Sequence, residues 1–172
     1  MDVREATQSD VEAIRSVHEA SIRGLGADAY DREQVVAWAE GVESADYSEV
    51  TDPGCYFVVA VTGEEDDDEV VAFGSVLFES PDAYESSVDA EVTAVYVHPS
   101  VARSGVGSAV LSTLEATARA AGVRTVGLTA SKNAVAFYEA HGYERVTERD
   151  HEFSTSESTD VTGTVVEMRR TL

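Results

Sequence analysis

The chain has 172 residues with one cysteine and no apolar run long enough to span a bilayer, which predicts one cytoplasmic domain without disulfide, metal or membrane partner. Its 33 acidic residues outnumber its 12 lysines and arginines, and the resulting net charge of −21 argues against nucleic acid and anionic lipid as partners. The acids are spread along nearly the whole chain, a pattern that favours a halophilic protein in a high-salt cytoplasm over a field that attracts cationic substrates.

A short edge strand over residues 3–6 and a helix open the predicted fold. Residues 9–12 read Ser-Asp-Val-Glu, a capping box that predicts the start of the helix, and Gly24 and Gly26 predict its end. His18 lies on the apolar face of this helix. We therefore expect His18 to be packed or half-exposed rather than catalytic.

A second helix is predicted over residues 31–45, with Asp31 as its N-cap. Tyr30 and Trp38 are the large aromatic residues of this region. They can belong to the core or line a substrate pocket, and the pattern alone leaves both alternatives open.

Two apolar runs, 55–61 and 70–78, predict a β-hairpin in the middle of the chain. The acidic segment 63–68 between them is predicted as a solvated loop, because a run of carboxylates usually faces water. A polar connection over residues 80–89 leads to the next strand. Cys55 begins the first of the two runs and is predicted to be a small apolar strand residue.

The stretch that follows combines a strand, a glycine-containing turn and a helix. Residues 92–98 are rich in β-branched and aromatic residues, and a helix is predicted to begin at Ser104. The turn between them carries Arg103, Gly105 and Gly107. Unpaired N–H groups at a helix start attract anions, and glycines let a phosphate approach the backbone. The turn is therefore a candidate anion site, although a tight connection without ligand fits the same pattern.

The last third of the chain adds a strand over 124–128, a short helix ended by Gly142, and a pair of strands over 143–153 and 161–168. A polar loop over 154–160 joins this pair. Most predicted strands adjoin hairpin partners, and βα crossings occur only in the middle. The order therefore predicts an α+β fold with a mixed central sheet of about six to seven strands flanked by helices.

Two segments resemble motifs of the GNAT superfamily of acyl-CoA N-acetyltransferases. Around the turn, Val97-His98-Pro99 matches the end of the motif strand, and Gly105 and Gly107 match its glycines. Ala102 stands where the family has Gln or Arg, and Arg103 follows where a glycine is frequent. Residues 128–143 are similar to the Ser-x-Asn-Ala-x-x-Phe-Tyr-x-x-x-Gly-Phe/Tyr segment. The resemblance extends over most of the chain and implies the GNAT fold in a single domain, residues 1–172.

The resemblance implies that acetyl-CoA is the co-substrate and that its arm and pyrophosphate contact residues of both motifs. These residues are Val95, Tyr96, Val97, Arg103, Ser104, Gly105, Val106, Gly107, Ser108, Asn133 and Tyr138. Asn133 can instead be a plain N-cap of the short helix.

The implied reaction is acetyl transfer to a primary amine of a small molecule, peptide or protein, without a covalent protein intermediate. Tyr138 matches the tyrosine that protonates the CoA thiolate, and Glu91 matches a glutamate that acts as base through water. His98 is a second candidate for the base because histidine titrates near neutrality, but it ranks lower because it lies at the far end of the strand. Tyr30, Trp38 and the 80–89 connection are expected to contact the acceptor.

Two further expectations follow from the resemblance. A non-catalytic acyl-CoA-binding or regulatory module on the same fold is the alternative function. A homodimer is plausible for this family, although the sequence shows no diagnostic interface stripe.

Overall fold

A computed structural model describes residues 1–63, 68–153 and 160–172 of the chain. Most of the predicted acidic loop (64–67) and of the predicted polar loop (154–159) lies outside the described residues. Among the described residues, no helix is both long and apolar enough to cross a membrane.

The described residues form one mixed sheet of seven strands in the order β1-β2-β3-β4-β5-β7-β6, and within it only the β4–β5 pair is parallel. The strands are β1 (Asp2–Glu5), β2 (Cys55–Thr62), β3 (Glu69–Leu77), β4 (Ala90–Val97), β5 (Thr125–Ser131), β6 (Glu144–Glu152) and β7 (Thr162–Thr171). The helices are α1 (Val11–Leu25), α2 (Arg32–Glu43), α3 (Val106–Ala120) and α4 (Val135–Ala140). The predicted mixed sheet flanked by helices is confirmed.

Successive side chains of β2 belong alternately to two hydrophobic cores, one on each face of the sheet. Val58 and Ala60 belong to the core that contains the buried residues of α3, whereas Val59 and Val61 belong to the core that contains Ile14 of α1. Successive side chains of a strand point to opposite faces, so an uninterrupted apolar strand needs a helix on each side. Helix α3 therefore covers one face of the sheet and α1 the other.

The prediction of a capping box at residues 9–12 is wrong by two residues. Asp10 accepts hydrogen bonds from the backbone N–H and the hydroxyl of Thr7, at 2.8 and 3.0 Å, and it also pairs with Arg4 at 2.9 Å. The chain therefore turns at Thr7 through a short 3-10 segment, and α1 begins at Val11. The ion pair with β1 holds the carboxylate of Asp10 and so determines where the turn begins.

The predicted end of the first helix is correct at Gly26, which is the C-cap of α1, and wrong at Gly24, because α1 continues through Gly24 to Leu25. A Cβ at Gly24 would lie 2.5 Å from Cγ of Pro99. This glycine allows α1 to approach the segment that follows β4, and that close approach places α1 beside the glycine turn.

Strand β4 contains an irregularity that reverses which of its side chains face α3. Its register against β3 shifts between Ser75 and Val76, so that Ser75 pairs with Ala94 whereas Val76 pairs with Val92. A β-bulge of this kind adds one residue, here Thr93, and bends the strand. Ala90 and Val92 consequently lie in the α3 core, whereas Ala94 and Tyr96 pack against the α1 core.

Strands β4 and β5 separate beyond this bulge. Their pairing covers Ala90 to Val92 on β4, which face Val126 to Leu128 on β5. Within the described residues no further pair joins the two strands. The remainder of β4 therefore presents backbone N–H and C=O groups toward an opening in the middle of the sheet.

Candidate active site

The turn between β4 and α3 contains two residues with positive φ, a conformation that favours glycine. Gly105 is the N-cap of α3 with φ +90°, and Arg103 has φ +62°. A Cβ built at Gly105 would meet nothing within 4 Å. Positive φ at Arg103 also explains in physical terms why a glycine suits this position. The N–H groups of the first turn of α3 have no carbonyl one turn earlier, so they remain available to an anion.

The larger of two cavities that meet at the separation of the strands lies against this turn, and we call it the turn cavity. Its volume is about 530 Å³, within the usual range for ligand pockets. Nine of the predicted cofactor-binding residues line it. They are Val95, Tyr96, Val97, Arg103, Gly105, Gly107, Ser108, Asn133 and Tyr138.

Two of the predicted cofactor-binding side chains do not line the turn cavity. Val106 is buried in the α3 core, and the hydroxyl of Ser104 donates to the carbonyl of Val101 at 2.5 Å. The side chain of Arg103 is almost fully exposed, and its guanidinium lies 4.0 Å from the Asp28 carboxylate. Arg103 therefore lies at the mouth of the cavity, with its side chain largely in solvent.

A smaller cavity of about 230 Å³, the cleft cavity, occupies the opening between β4 and β5. Tyr96, Tyr138 and Trp38 line both cavities. The polar part of its wall includes Thr93 and Thr129, from the two strands that separate. Because both cavities share these residues, a ligand in the turn cavity can extend into the cleft.

Tyr138 lies on α4 at the junction of the two cavities. It is 6% exposed and belongs to the α3 core, with its ring edge-on to Phe137 and to Tyr143. Burial, and to a smaller extent the nearby Tyr96, raises the pKa of the Tyr138 phenol well above its usual value. Tyr138 is therefore a proton or hydrogen-bond donor at neutral pH.

Asn133 does not cap the short helix, because the N-cap of α4 is Ala134. Asn133 is instead exposed at the wall of the turn cavity. The prediction of a plain N-cap is therefore wrong, and contact of Asn133 with a ligand stays a prediction.

Glu91 is half-buried at the start of β4 and lines neither cavity. Its Oε1 accepts a hydrogen bond of 2.7 Å from the hydroxyl of Tyr84. The Tyr84 oxygen in turn accepts a bond of 3.2 Å from the hydroxyl of Thr129, which does line the cleft cavity. Glu91 is therefore connected to the cleft through two side chains. His98 lies outside both cavities, where its Nδ1 contacts Ser100.

Of the residues expected to contact the acceptor, Trp38 lines the two cavities, whereas Tyr30 and the 80–89 connection do not. Trp38 lines both cavities and stacks on Phe153 with ring centroids 5.4 Å apart. Tyr30 is buried behind them: its hydroxyl donates to the carbonyl of Thr164 at 2.7 Å and accepts from the N–H of Lys132 at 3.0 Å. Tyr30 thus supports the wall rather than lining it, and no residue of the 80–89 connection lines either cavity.

A third cavity of about 340 Å³ lies between α1 and the β3–β4 face, and we call it the α1 cavity. It shares Thr93, Ala94 and Tyr96 with the cleft cavity. Asp46 and Glu49 contribute carboxylates to its lining. The α1 cavity therefore continues the cleft toward the face of the sheet opposite α3.

His18 is the most unusual side chain of the α1 cavity. Its ring centroid lies 4.1 Å from that of Tyr96, and its Nδ1 is 2.9 Å from the hydroxyl of Tyr47. The Nε2 atom is buried without a hydrogen-bond partner among the described residues. Burial lowers the pKa of His18 to about 4, so the imidazole is neutral at neutral pH. The prediction of a packed or half-exposed His18 is confirmed.

Comparison with known proteins identifies the family. Residues 20–143 match the model of the Acetyltransferase (GNAT) family. The chain belongs to this family. Its members are N-acetyltransferases that use acetyl-CoA, so the enzyme class and the co-substrate expected from the two motifs are confirmed. No curated protein sequence matches the chain.

Solved structures of GNAT enzymes share the fold at low sequence identity. A GCN5-related N-acetyltransferase from Rhodopseudomonas palustris is 24% identical with a TM-score of 0.80, over 99% of this chain and 95% of that one. PaiA N-acetyltransferase from Thermoplasma acidophilum, solved with coenzyme A, is 17% identical with a TM-score of 0.68, over 99% and 98%. An aminoglycoside 6'-N-acetyltransferase with coenzyme A is 18% identical with a TM-score of 0.64, over 99% and 97%.

Several residues of this GNAT site gave no signal in the sequence. Thr93 enters the cleft only because of the β4 bulge, and Thr129 only because β5 continues beyond its predicted end. His151 and Phe153 reach the cleft from the β6–β7 pair. Among the described residues no group of three or more His, Cys, Asp or Glu side chains is arranged to hold a metal ion.

Proposed function

We propose that this GNAT enzyme transfers the acetyl group of acetyl-CoA to a primary amine of a small molecule, peptide or protein by direct attack in a ternary complex. The observation that carries the proposal is the separation of β4 and β5 next to the glycine turn. It joins the turn cavity to the cleft cavity at Tyr138. The whole chain, residues 1–172, forms the enzyme domain in this proposal.

The turn cavity fits the pyrophosphate and arm of acetyl-CoA. The open space in front of Gly105 and the free N–H groups at the start of α3 suit an anion close to the backbone. Gly107 serves a different purpose, because a Cβ there would lie 3.3 Å from Val97 and would disturb the contact between α3 and β4. When bound, acetyl-CoA supplies the activated acyl group, whose thioester belongs in the cleft.

The chain's own groups perform the remaining tasks in the proposed mechanism. Backbone N–H groups of β4 beyond the bulge, near Val95 and Val97, orient the acyl oxygen and stabilise its developing negative charge. Tyr138 donates a proton to the sulfur as the C–S bond breaks. Its burial excludes water from the same point.

The acceptor amine is placed on the α1 side of the sheet, in the cleft cavity and its continuation. Trp38 and Tyr96 supply aromatic walls there. The carboxylates of Asp46 and Glu49 at the α1 cavity favour an acceptor that arrives as a cation, since opposite charges attract along a low-dielectric channel. These features support an amine substrate.

The test is release of the CoA thiol from acetyl-CoA, measured in high salt with a panel of primary amines. Tyr138→Phe should lower kcat roughly 10²-fold, the usual contribution of a positioned acid, while acetyl-CoA affinity stays nearly unchanged. Tyr56→Phe is the matched control, because Tyr56 is a half-buried tyrosine on β2 that lines none of the three cavities. Binding of acetyl-CoA without turnover for any amine would support the regulatory alternative and contradict the proposal.

A further inference from the structure

We propose that Thr129 and Tyr84 form a proton relay that carries the acceptor's proton from the cleft to Glu91. The inference rests on the proposed function and deepens it, since it assigns the route by which the amine becomes nucleophilic. Glu91 was predicted to act through water. The structure instead connects it to the cleft through two hydroxyl groups.

The direction of both hydrogen bonds suits such a relay. Thr129 lies in the wall of the cleft cavity and donates to the Tyr84 oxygen at 3.2 Å. The Tyr84 hydroxyl donates to Oε1 of Glu91 at 2.7 Å. Each hydroxyl therefore holds a proton aimed toward the carboxylate, and the outer oxygen, on Thr129, can accept a proton from a group in the cleft.

Two anchors hold the 80–89 connection, which carries Tyr84, against the sheet. The first anchor is the packing of the Tyr84 ring itself. The ring of Tyr84 lies against Gly127 of β5, where a Cβ would come within 2.7 Å of a ring carbon. The guanidinium of Arg149 lies over the same ring, 5.2 Å from its centroid. Only a glycine at position 127 lets the ring lie close enough to the sheet to reach both Glu91 and Thr129.

The second anchor is a buried carboxylate on β7. Glu167 has no exposed surface and accepts hydrogen bonds from the N–H groups of Glu85 and Ser86, both at 3.0 Å. It also pairs with Arg149, the residue that covers Tyr84. The polar 80–89 connection thus positions a relay residue behind the cleft instead of lining the acceptor pocket.

The relay returns every group to its starting protonation state after one turnover. The bound acceptor ammonium gives one proton to the Thr129 oxygen, the Thr129 proton moves to Tyr84, and the Tyr84 proton moves to Glu91, which leaves a neutral amine. The amine nitrogen then forms the C–N bond, and the C–S bond breaks as Tyr138 protonates the sulfur. The second amine proton restores Tyr138, and Glu91 releases its proton to solvent.

The surroundings of the relay keep Tyr84 protonated and leave the Glu91 carboxylate as the proton acceptor. Burial, together with the hydrogen bond to Glu91, raises the pKa of Tyr84 far above its ordinary value, although the bond from Thr129 opposes this shift. Tyr84 therefore stays protonated and can only pass a proton on. Arg149 and Glu167 face the relay from β6 and β7 as an ion pair, and the carboxylate that accepts the Tyr84 hydrogen bond is that of Glu91.

The test compares two acceptors of the same shape. One is the best primary alkylamine from the panel, which is protonated at neutral pH, and the other is its β,β,β-trifluorinated analogue, which is weakly basic enough to be mostly neutral at that pH. Tyr84→Phe, Thr129→Val and Glu91→Gln should each lower kcat for the alkylamine by roughly 10- to 10³-fold. For the fluorinated analogue, kcat should stay within a few-fold of wild type in all three variants.

Tyr56→Phe is again the control, because it removes the hydroxyl of a half-buried tyrosine on β2 that lines none of the three cavities. Wild-type turnover of the alkylamine by Tyr84→Phe would overturn the relay. An equal loss for both amines would also overturn it, because it would show a structural role alone. If wild-type protein binds acetyl-CoA but acetylates neither amine, the proposed function itself fails.

Discussion

His18 provides a quantitative test of how the α1 cavity is built. Burial lowers its pKa from 6.5 to about 4, so the folded protein binds this proton less readily than the unfolded chain. The contribution of His18 to stability is therefore complete above pH 6.5 and is lost as the pH falls toward 4. The difference between the two pKa values corresponds to about 3 kcal/mol of unfolding free energy, at about 1.4 kcal/mol for each pH unit.

The assay is denaturant unfolding followed by circular dichroism at constant high salt, for wild type and His18→Gln between pH 7 and 4. Glutamine remains neutral throughout and can keep a hydrogen bond to Tyr47. The stability of wild type relative to the variant should fall by about 3 kcal/mol across this range, whereas other titrating groups cancel in the comparison. A difference that does not change with pH would refute the account of a neutral, buried imidazole.

Three further predictions concern folding. Gly74→Ala should destabilise the protein by about 1–3 kcal/mol in the same unfolding assay, because its Cβ would lie 2.6 Å from Cγ1 of Val110 and 3.0 Å from the carbonyl of Ala94. Glu167→Gln should cost about 1–3 kcal/mol, since it removes the carboxylate paired with Arg149; unchanged stability would contradict the role of Glu167 as a buried anchor. The net charge of −21 predicts that circular dichroism shows unfolding at low salt, and full structure in dilute buffer would exclude adaptation to high salt.

The fold could be predicted from the sequence largely because its elements are separated by clear breaks. The capped second helix, the apolar hairpin, the helix after the glycine turn and the short helix ended by Gly142 correspond to α2, β2–β3, α3 and α4. The errors occurred where a tertiary contact overrides a local signal. Arg4 holds Asp10 and so moves the capping turn to Thr7, and Pro99 makes Gly24 a point of close contact instead of a helix end.

The two halves of the site differ in how far the sequence predicts them. The proposed acetyl-CoA half lies in two short contiguous segments, around Gly105 and around Tyr138, so local patterns and motif resemblance are enough to propose it. The acceptor half combines side chains from distant segments, such as Trp38 of α2 and Phe153 after β6. Their meeting depends on packing between elements, which no local pattern encodes.

Two predicted acceptor contacts illustrate the same limit. Tyr30 and Trp38 are eight positions apart, and only the packing of α2 shows that Trp38 faces the cleft while Tyr30 hydrogen-bonds behind it. Likewise, the composition of the 80–89 connection gives no indication that its backbone N–H groups bind Glu167 on β7, which is more than seventy residues away.

Calorimetric titration with acetyl-CoA in high salt tests the central claim most directly, with ATP and NAD as control ligands. Wild type and Gly122→Ala should bind acetyl-CoA selectively, whereas Gly105→Ala should bind it at least roughly tenfold more weakly, about 1.4 kcal/mol. The control is closely matched: Gly105 and Gly122 have φ of +90° and +86°, a Cβ at either meets nothing within 4 Å, and only Gly105 lines the turn cavity. Absence of binding by folded wild-type protein, or equal affinities in the two variants, would contradict the assignment of the glycine turn as the acetyl-CoA site.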